Sequence, residues 1–192
     1  MSAGKVAAGV LAGLAVAAGS LSALGQMTSV DVRVAERAAV GDRLVVVLGV
    51  GDVSIRAGQV GEVSVTGTVT HSWGRAEHGF TRQGDTLVFR SDCEVGSLPG
   101  PCSADWTLTV PAGLDVEVTS EAGDVELVGE FSAARVETSA GDLDVTVPGD
   151  GTGYAVRGGS LVGDRTVEVP ADDDGPVLDL NTGAGDVTVT TS

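Results

Sequence analysis

From residue 40 onward the chain alternates apolar and polar residues with a period of two, and the alternation changes phase at four similar corners. The corners are Val50-Gly51-Asp52-Val53, Ala122-Gly123-Asp124-Val125, Ala140-Gly141-Asp142-Leu143 and Ala184-Gly185-Asp186-Val187. Before the first, Val46, Leu48 and Val50 occupy even positions; after it, Val53 and Ile55 occupy odd ones. Leu114, Val116 and Val118 switch to Val125 and Leu127, and Val136 switches to Leu143, Val145 and Val147. Leu178 and Leu180 lead to Val187 and Val189. Side chains alternate faces along a strand, so a one-residue shift would turn the apolar set outward. A glycine bend absorbs the shift and keeps the valines inward. Aspartate suits the next position because its carboxylate accepts bonds from nearby backbone N–H groups.

Gly123 and Gly141 lie 18 residues apart, and a weaker copy at Gly163-Asp164 divides the interval from Gly141 to Gly185 into steps of 22. Steps of this size hold two or three short strands. The predicted fold is all-β: a single-stranded β-solenoid or β-roll of short strands cornered by Gly-Asp, each layer burying its apolar side against the next. An antiparallel sandwich with glycine-rich turns is the competing arrangement.

The N-terminus has a different pattern. Lys5 precedes an unbroken Ala, Val, Leu and Gly run over 6–18, followed by small residues at Gly19, Ser20, Ser22, Ala23 and Gly25. That order is the one a secretory signal peptide shows, and uncut it is about long enough to span a bilayer. Residues 1–25 are therefore a signal peptide or a membrane anchor, 26–39 a linker or first strand, and 40–192 the β-repeat domain. Both outcomes put the domain outside the cytoplasm, secreted or anchored to the cell membrane by its N-terminal segment. There are two cysteines, Cys93 and Cys102, with Gly96, Pro99, Gly100 and Pro101 between them. In an exported chain they read as one disulfide closing a turn-rich loop.

Composition narrows the partners. The net charge is −16 and Lys5 is the only lysine. That excludes nucleic acid, whose binding needs phosphate neutralisation, and leaves the membrane accessible only through an uncleaved N-terminal segment. The expected partner is an unidentified envelope protein or glycan. Residues 71–106 depart from the repeat: His71, His78, Trp73, Trp106, Phe80, Phe89 and both cysteines fall there, with Arg75, Arg82 and Arg90. The stretch reads as a cap over an open end of the core, or as an inserted hairpin. The sharper alternative is an exposed binding patch of Trp73, Arg75, Phe80 and Trp106, suited to sugar rings or carboxylates.

No catalytic, cofactor or metal site is expected. No Gly-x-Ser-x-Gly elbow selects a serine for the two histidines, and no phosphate loop or dinucleotide fingerprint occurs. His71 and His78 lack a third zinc ligand. The corner aspartates Asp52, Asp124, Asp142 and Asp186 could stack in a row, yet single Gly-Asp pairs are not the Gly-Gly-x-Gly-x-Asp of calcium-binding repeats. Turn-capping, solvated aspartates are the expected role, and Asp172-Asp173-Asp174-Gly175 reads as an acidic loop.

The element Leu108-Thr109-Val110-Pro111-Ala112-Gly113-Leu114, followed by Asp115-Val116-Glu117-Val118 and then Ala122-Gly123-Asp124-Val125, resembles a bacterial β-strand-repeat domain of unknown function often labelled "putative adhesin". The resemblance covers about residues 40–192 and implies a β-helix or roll with a surface role. That family has no settled ligand or active residues, so none is carried over. The aromatic, cysteine-bearing stretch departs from it. The sequence thus points to an exported, non-enzymatic, adhesin-like interaction domain at the bacterial cell envelope. Two alternatives stand beside it: a carboxylate-dependent enzyme acting on envelope polysaccharide, and a membrane-anchored structural or sensory partner domain.

Overall fold

The computed structural model describes residues 30–71, 74–95 and 102–192, and these form fifteen strands. In chain order they are β1 (Val30–Ala38), β2 (Arg43–Val50), β3 (Val53–Gly58), β4 (Val63–His71), β5 (Gly74–Gln83), β6 (Thr86–Val95), β7 (Cys102–Pro111) and β8 (Leu114–Ala122). Then follow β9 (Val125–Val128), β10 (Phe131–Thr138), β11 (Leu143–Val147), β12 (Ala155–Val162), β13 (Arg165–Val167), β14 (Val177–Ala184) and β15 (Val187–Thr191). Among the described residues no helix forms. The proposed signal or anchor at 1–25 lies outside the described residues.

The strands assemble into two mixed sheets. Sheet I runs β1-β4-β7-β3-β9-β11-β15-β13, and sheet II runs β12-β14-β10-β8-β2-β6-β5. The Gly-Asp corners carry β2 into β3, β8 into β9, β10 into β11, β12 into β13 and β14 into β15, always from sheet II to sheet I. Parallel pairing joins most neighbours, while β1–β4, β4–β7 and β5–β6 are antiparallel. This corrects the expected single-stranded solenoid or roll. Successive strand pairs do not stack in the order in which they occur: β2–β3 lies between β6–β7 and β8–β9, and β14–β15 lies between β10–β11 and β12–β13.

The phase switch at each corner does what the alternation implied. On sheet II, Val46, Val118, Val136 and Leu180 share one inward row; on sheet I, Ile55, Leu127, Val145 and Val189 share another. All eight are essentially inaccessible and belong to one core filled from both sheets. Each such side chain contributes roughly 1.5–3 kcal/mol on burial. Val50 is the exception: it stands at the bend and is 46 % exposed.

The aromatic stretch closes the β5–β6–β7 end of that core. Phe89 packs edge-on to Trp106 at 5.0 Å and against Phe80 at 5.1 Å, and the His78 ring lies 5.4 Å from Trp106. Trp106 is 2 % exposed, so it is a core residue and not part of an exposed binding patch. Phe80 is only partly buried and packs against the core. Trp73 lies outside the described residues, as do the side chains of Arg75, His71, Cys93 and Cys102. The expected Cys93–Cys102 disulfide therefore falls outside what the structure describes.

The outer face of sheet II carries a row of alternating charge. Glu117, Arg135, Asp179 and Arg157 are successive partners across β8, β10, β14 and β12. Arg135 and Asp179 approach to 3.2 Å, and Arg43 donates to Glu117 from β2.

Candidate functional site

Glycine makes the corners possible. Gly51, Gly123, Gly141 and Gly185 adopt φ between 131° and 142°, where L side chains are strained. A Cβ on Gly141 would lie 2.0 Å from the Gly123 carbonyl oxygen, so successive corners stack backbone on backbone. That close approach brings the aspartates into line. Asp124 N–H donates to Asp52 Oδ1 at 2.9 Å, Asp142 N–H to Asp124 Oδ1 at 2.9 Å, and Asp186 N–H to Asp142 Oδ1 at 2.8 Å. Asp164 N–H continues the line to Asp186 Oδ1 at 2.8 Å, and Asp52 N–H begins it on Asp105 Oδ1 at 3.3 Å.

This line of carboxylates is a structural ladder. Neighbouring charges about one strand spacing apart repel by roughly 1 kcal/mol in water. Each hydrogen bond from a backbone N–H to a carboxylate contributes roughly 1.5–3 kcal/mol, so the bonds outweigh the repulsion. Asp105 was not singled out from the sequence because Ala104-Asp105 has no glycine. The available signal was the alternating Trp106, Leu108, Val110 run that follows it.

The Asp105–Asp52–Asp124 end of the ladder forms one wall of a groove of about 680 Å³ on the outer face of sheet I. Ala35, Thr66, Thr107, Ser54, Glu126 and Asp144 are successive cross-strand partners over β1, β4, β7, β3, β9 and β11, and all line it. Arg33 and Thr68 extend the wall at the β1 end, next to Asp105. Hydroxyls thus fill the floor on one side and carboxylates on the other. Glu126 accepts from Ser54 Oγ at 2.6 Å and from Arg56 Nη2 at 2.8 Å, which fixes its orientation. Among the described residues, no hydrogen bond or ion pair reaches the Asp144 carboxylate. Its pKa is raised above the usual carboxylate value of 3.8, first by partial burial and then by the charges of Asp142, Asp124, Glu126 and Asp186. The groove is open, and the side chains of Asp52, Asp105, Asp124, Glu126 and Asp144 line it with Arg33. Among the described residues, no group of three or more His, Cys, Asp or Glu side chains is placed to hold a metal ion.

The sequence-predicted residues are therefore divided. Of the corner set, Asp52 and Asp124 line the groove, while Asp142 and Asp186 continue the ladder beyond it. Trp106 lies beneath it in the core, and Phe80 sits on β5, in the other sheet. The hydroxyl floor was not anticipated, because β7 brings Thr107 between Thr66 of β4 and Ser54 of β3, a pairing the sequence does not mark.

Comparison with solved structures bears on the architecture. The crystal structure of a "putative cell adhesion protein" from Clostridium sporogenes superposes with a TM-score of 0.56 at 12 % identity, over 84 % of this chain and 100 % of that one. The two share a fold. Two others carry the adhesin label: one from Bacteroides fragilis, with a TM-score of 0.29 at 11 % identity over 84 % of this chain and 97 % of that one, and one from Parabacteroides merdae, with 0.31 at 12 % over 83 % and 96 %. These neighbours bear the name that the corner motif suggested. No family model and no curated relative matches the chain.

Proposed function

We propose that this chain is an exported, non-enzymatic, adhesin-like interaction domain of the bacterial cell envelope, which binds an envelope protein or glycan through the groove on sheet I. The observation that carries the reading is the groove itself: a shallow surface of about 680 Å³, floored by hydroxyls and walled by carboxylates that are held in place by backbone N–H groups. Side chains preset in this way bind without a large ordering cost. The shared fold with the Clostridium cell adhesion protein supports the reading, as does the signal-like order of residues 1–25. Secreted or anchored, the domain faces outward.

The test uses cells that make the full chain, a deletion strain, and a Thr107→Arg strain whose added side chain fills the groove at an exposed position. Cell fractionation is expected to place the chain in the envelope, and protease added to intact cells is expected to degrade it. Attachment to protein- and glycan-coated surfaces should fall in the deletion strain and in Thr107→Arg alike, at equal protein levels. A cytosolic location, or full attachment by the deletion strain on every surface, would refute the proposal.

A further inference from the structure

The two sheets end on the same side of the core, sheet I at β1 and sheet II at β5. β1 is paired on one flank only, to β4, so it is held by that ladder and by whatever reaches it from β5. Directly opposed residues of an antiparallel pair share a face. Glu36 and Ala38 oppose Val65 and Val63, which are fully buried, so this row of β1 points inward. On β5, His78 and Phe80 oppose Ser91 and Phe89, both buried, and point inward too. Apolar closure across the gap is thin: Val34, Ala38, Val40 and Phe80 are only partly buried against the core.

Two polar contacts span the gap. Arg82 Nη2 donates to the Ala39 carbonyl. His78 Nε2 stands 3.9 Å from Glu36 Oε1, with both side chains partly exposed. The His78 ring packs on Trp106 at 5.4 Å and its Nδ1 is buried, which keeps the imidazole at the gap and out of bulk solvent. Glu36 is the one charged residue in the inward row of β1, and an inward charge on an edge strand is costly unless it is paired. At 3.9 Å a neutral imidazole makes no hydrogen bond to the carboxylate, whereas attraction between opposite charges falls off only slowly with distance. Histidine is the side chain whose charge changes between about pH 5 and 8, and the chain holds two, His71 and His78.

We propose that His78 and Glu36 form a pH-operated latch between the sheets. Protonation of His78 fastens β1 to β5, and its loss as the pH rises through the histidine range leaves β1 free to fray. The other charged groups near His78 come from outer faces. On β1, Arg33 and Arg37 alternate outward, and Arg37 faces Glu62 at 3.8 Å. β4 and β7 present Val65, Gly67 and Trp106, with Asp105 on the far side in the ladder. β6 presents Ser91; Arg90 and Asp92 flank it and line, with Glu77, a hollow that His78 also borders. Glu77 and Asp92 favour the charged ring and Arg90 opposes it, which leaves Glu36 to decide the sign. On β5 itself, Arg82 is the other charge in the inward row and is engaged by Ala39. The latch goes beyond the groove reading and does not depend on it, because it needs no bound partner.

The test is amide hydrogen exchange of the full-length chain in mild detergent at about pH 5.5 and about pH 8. Rates are expressed as protection factors, which remove the intrinsic pH dependence of exchange. Protection of β1 should be roughly three- to fivefold higher at the lower pH, the range of a partly exposed ion pair, while β9 and β11 show no such change. Glu36→Gln and His78→Gln should each abolish the difference. His71→Gln, and Glu62→Gln on the outer face, should keep it. Unchanged protection of β9 and β11 shows that each variant is folded, and Glu36→Gln alone decides if His78→Gln does not fold. A parent whose β1 protection is level or greater at the higher pH, or a difference that survives Glu36→Gln, would overturn the proposal. The readout involves no attachment, so full attachment by the Thr107→Arg strain would count against the groove and leave the latch standing.

Discussion

Replacing Gly141 by alanine tests the corner directly. At φ 142° the new residue is strained, by about 1–3 kcal/mol. Its Cβ would also sit 2.0 Å from the Gly123 carbonyl oxygen, a backbone atom that no rotamer change can move aside. Relief requires the two corners to separate, which stretches Gly123 N–H to Ala140 O at 2.9 Å and Asp142 N–H to Asp124 Oδ1 at 2.9 Å. Losing the better part of two such bonds adds about 1–3 kcal/mol. The expected total is about 3–5 kcal/mol, or a fall in Tm of roughly 10 °C for a chain of this size. Gly58→Ala is the matched control: it lies at the end of β3, its φ is not positive, and a Cβ there meets nothing within 4 Å. That change should be neutral or stabilise by a few tenths of a kcal/mol. Urea unfolding followed by tryptophan fluorescence reports the result, because Trp106 is buried in the native core. The reasoning fails if Gly141→Ala costs less than about 1 kcal/mol, or if Gly58→Ala costs as much.

Two further outcomes follow from the carboxylates. Asp142→Ala removes the acceptor of Asp186 N–H and should cost about 1–2 kcal/mol, whereas Asp142→Asn keeps an acceptor, drops a like charge and should be near neutral; equal losses in the two, measured by urea unfolding, would refute the ladder's hydrogen-bonding role. Asp144 has a raised pKa in the folded state, so the fold favours its protonated form; that contribution is complete below the ordinary value of 3.8 and is lost as pH rises through the higher folded value. Asp144→Asn should therefore raise Tm at pH 7, by the equivalent of less than about 1 kcal/mol for so exposed a group, with the gain vanishing below about pH 4. Thermal melts across that range check it, and a gain that persists at low pH would contradict the charge origin.

Much of the fold was legible in the chain because two local rules carry it. The phase switch from Val118 to Val125, or from Val136 to Leu143, tells which side chains face inward whatever the neighbours are. The layer order was not legible for the same reason. A Gly-Asp corner offers one N–H and one carboxylate in the same geometry each time, so any corner can stack on any other. Which does so is decided by the length of the connections and by large residues such as Trp106, whose ring sits where a Cβ on Gly67 of the next strand would go. The acidic ladder was half legible. Asp52, Asp124, Asp142 and Asp186 announce themselves by their corners, while Asp105 is recruited only by the pairing of β7 with β3. The hydroxyl floor could not be seen at all, since threonine on the outer face of a strand is ordinary sequence.

The stacking order has a consequence for how the molecule comes into being. β2 and β3 are bordered by the later strands β6 to β9, and β14 and β15 take a place inside the array, with the earlier β12 and β13 beyond them. A chain emerging in sequence order cannot lay these layers down one after another. β10–β11 and β12–β13 must wait apart until β14–β15 slots between them. Such non-local closure is slow, and it leaves bare edges in the meantime. Loss of β14–β15 would take out an interior layer, where loss of a rim strand would merely shorten the sheet.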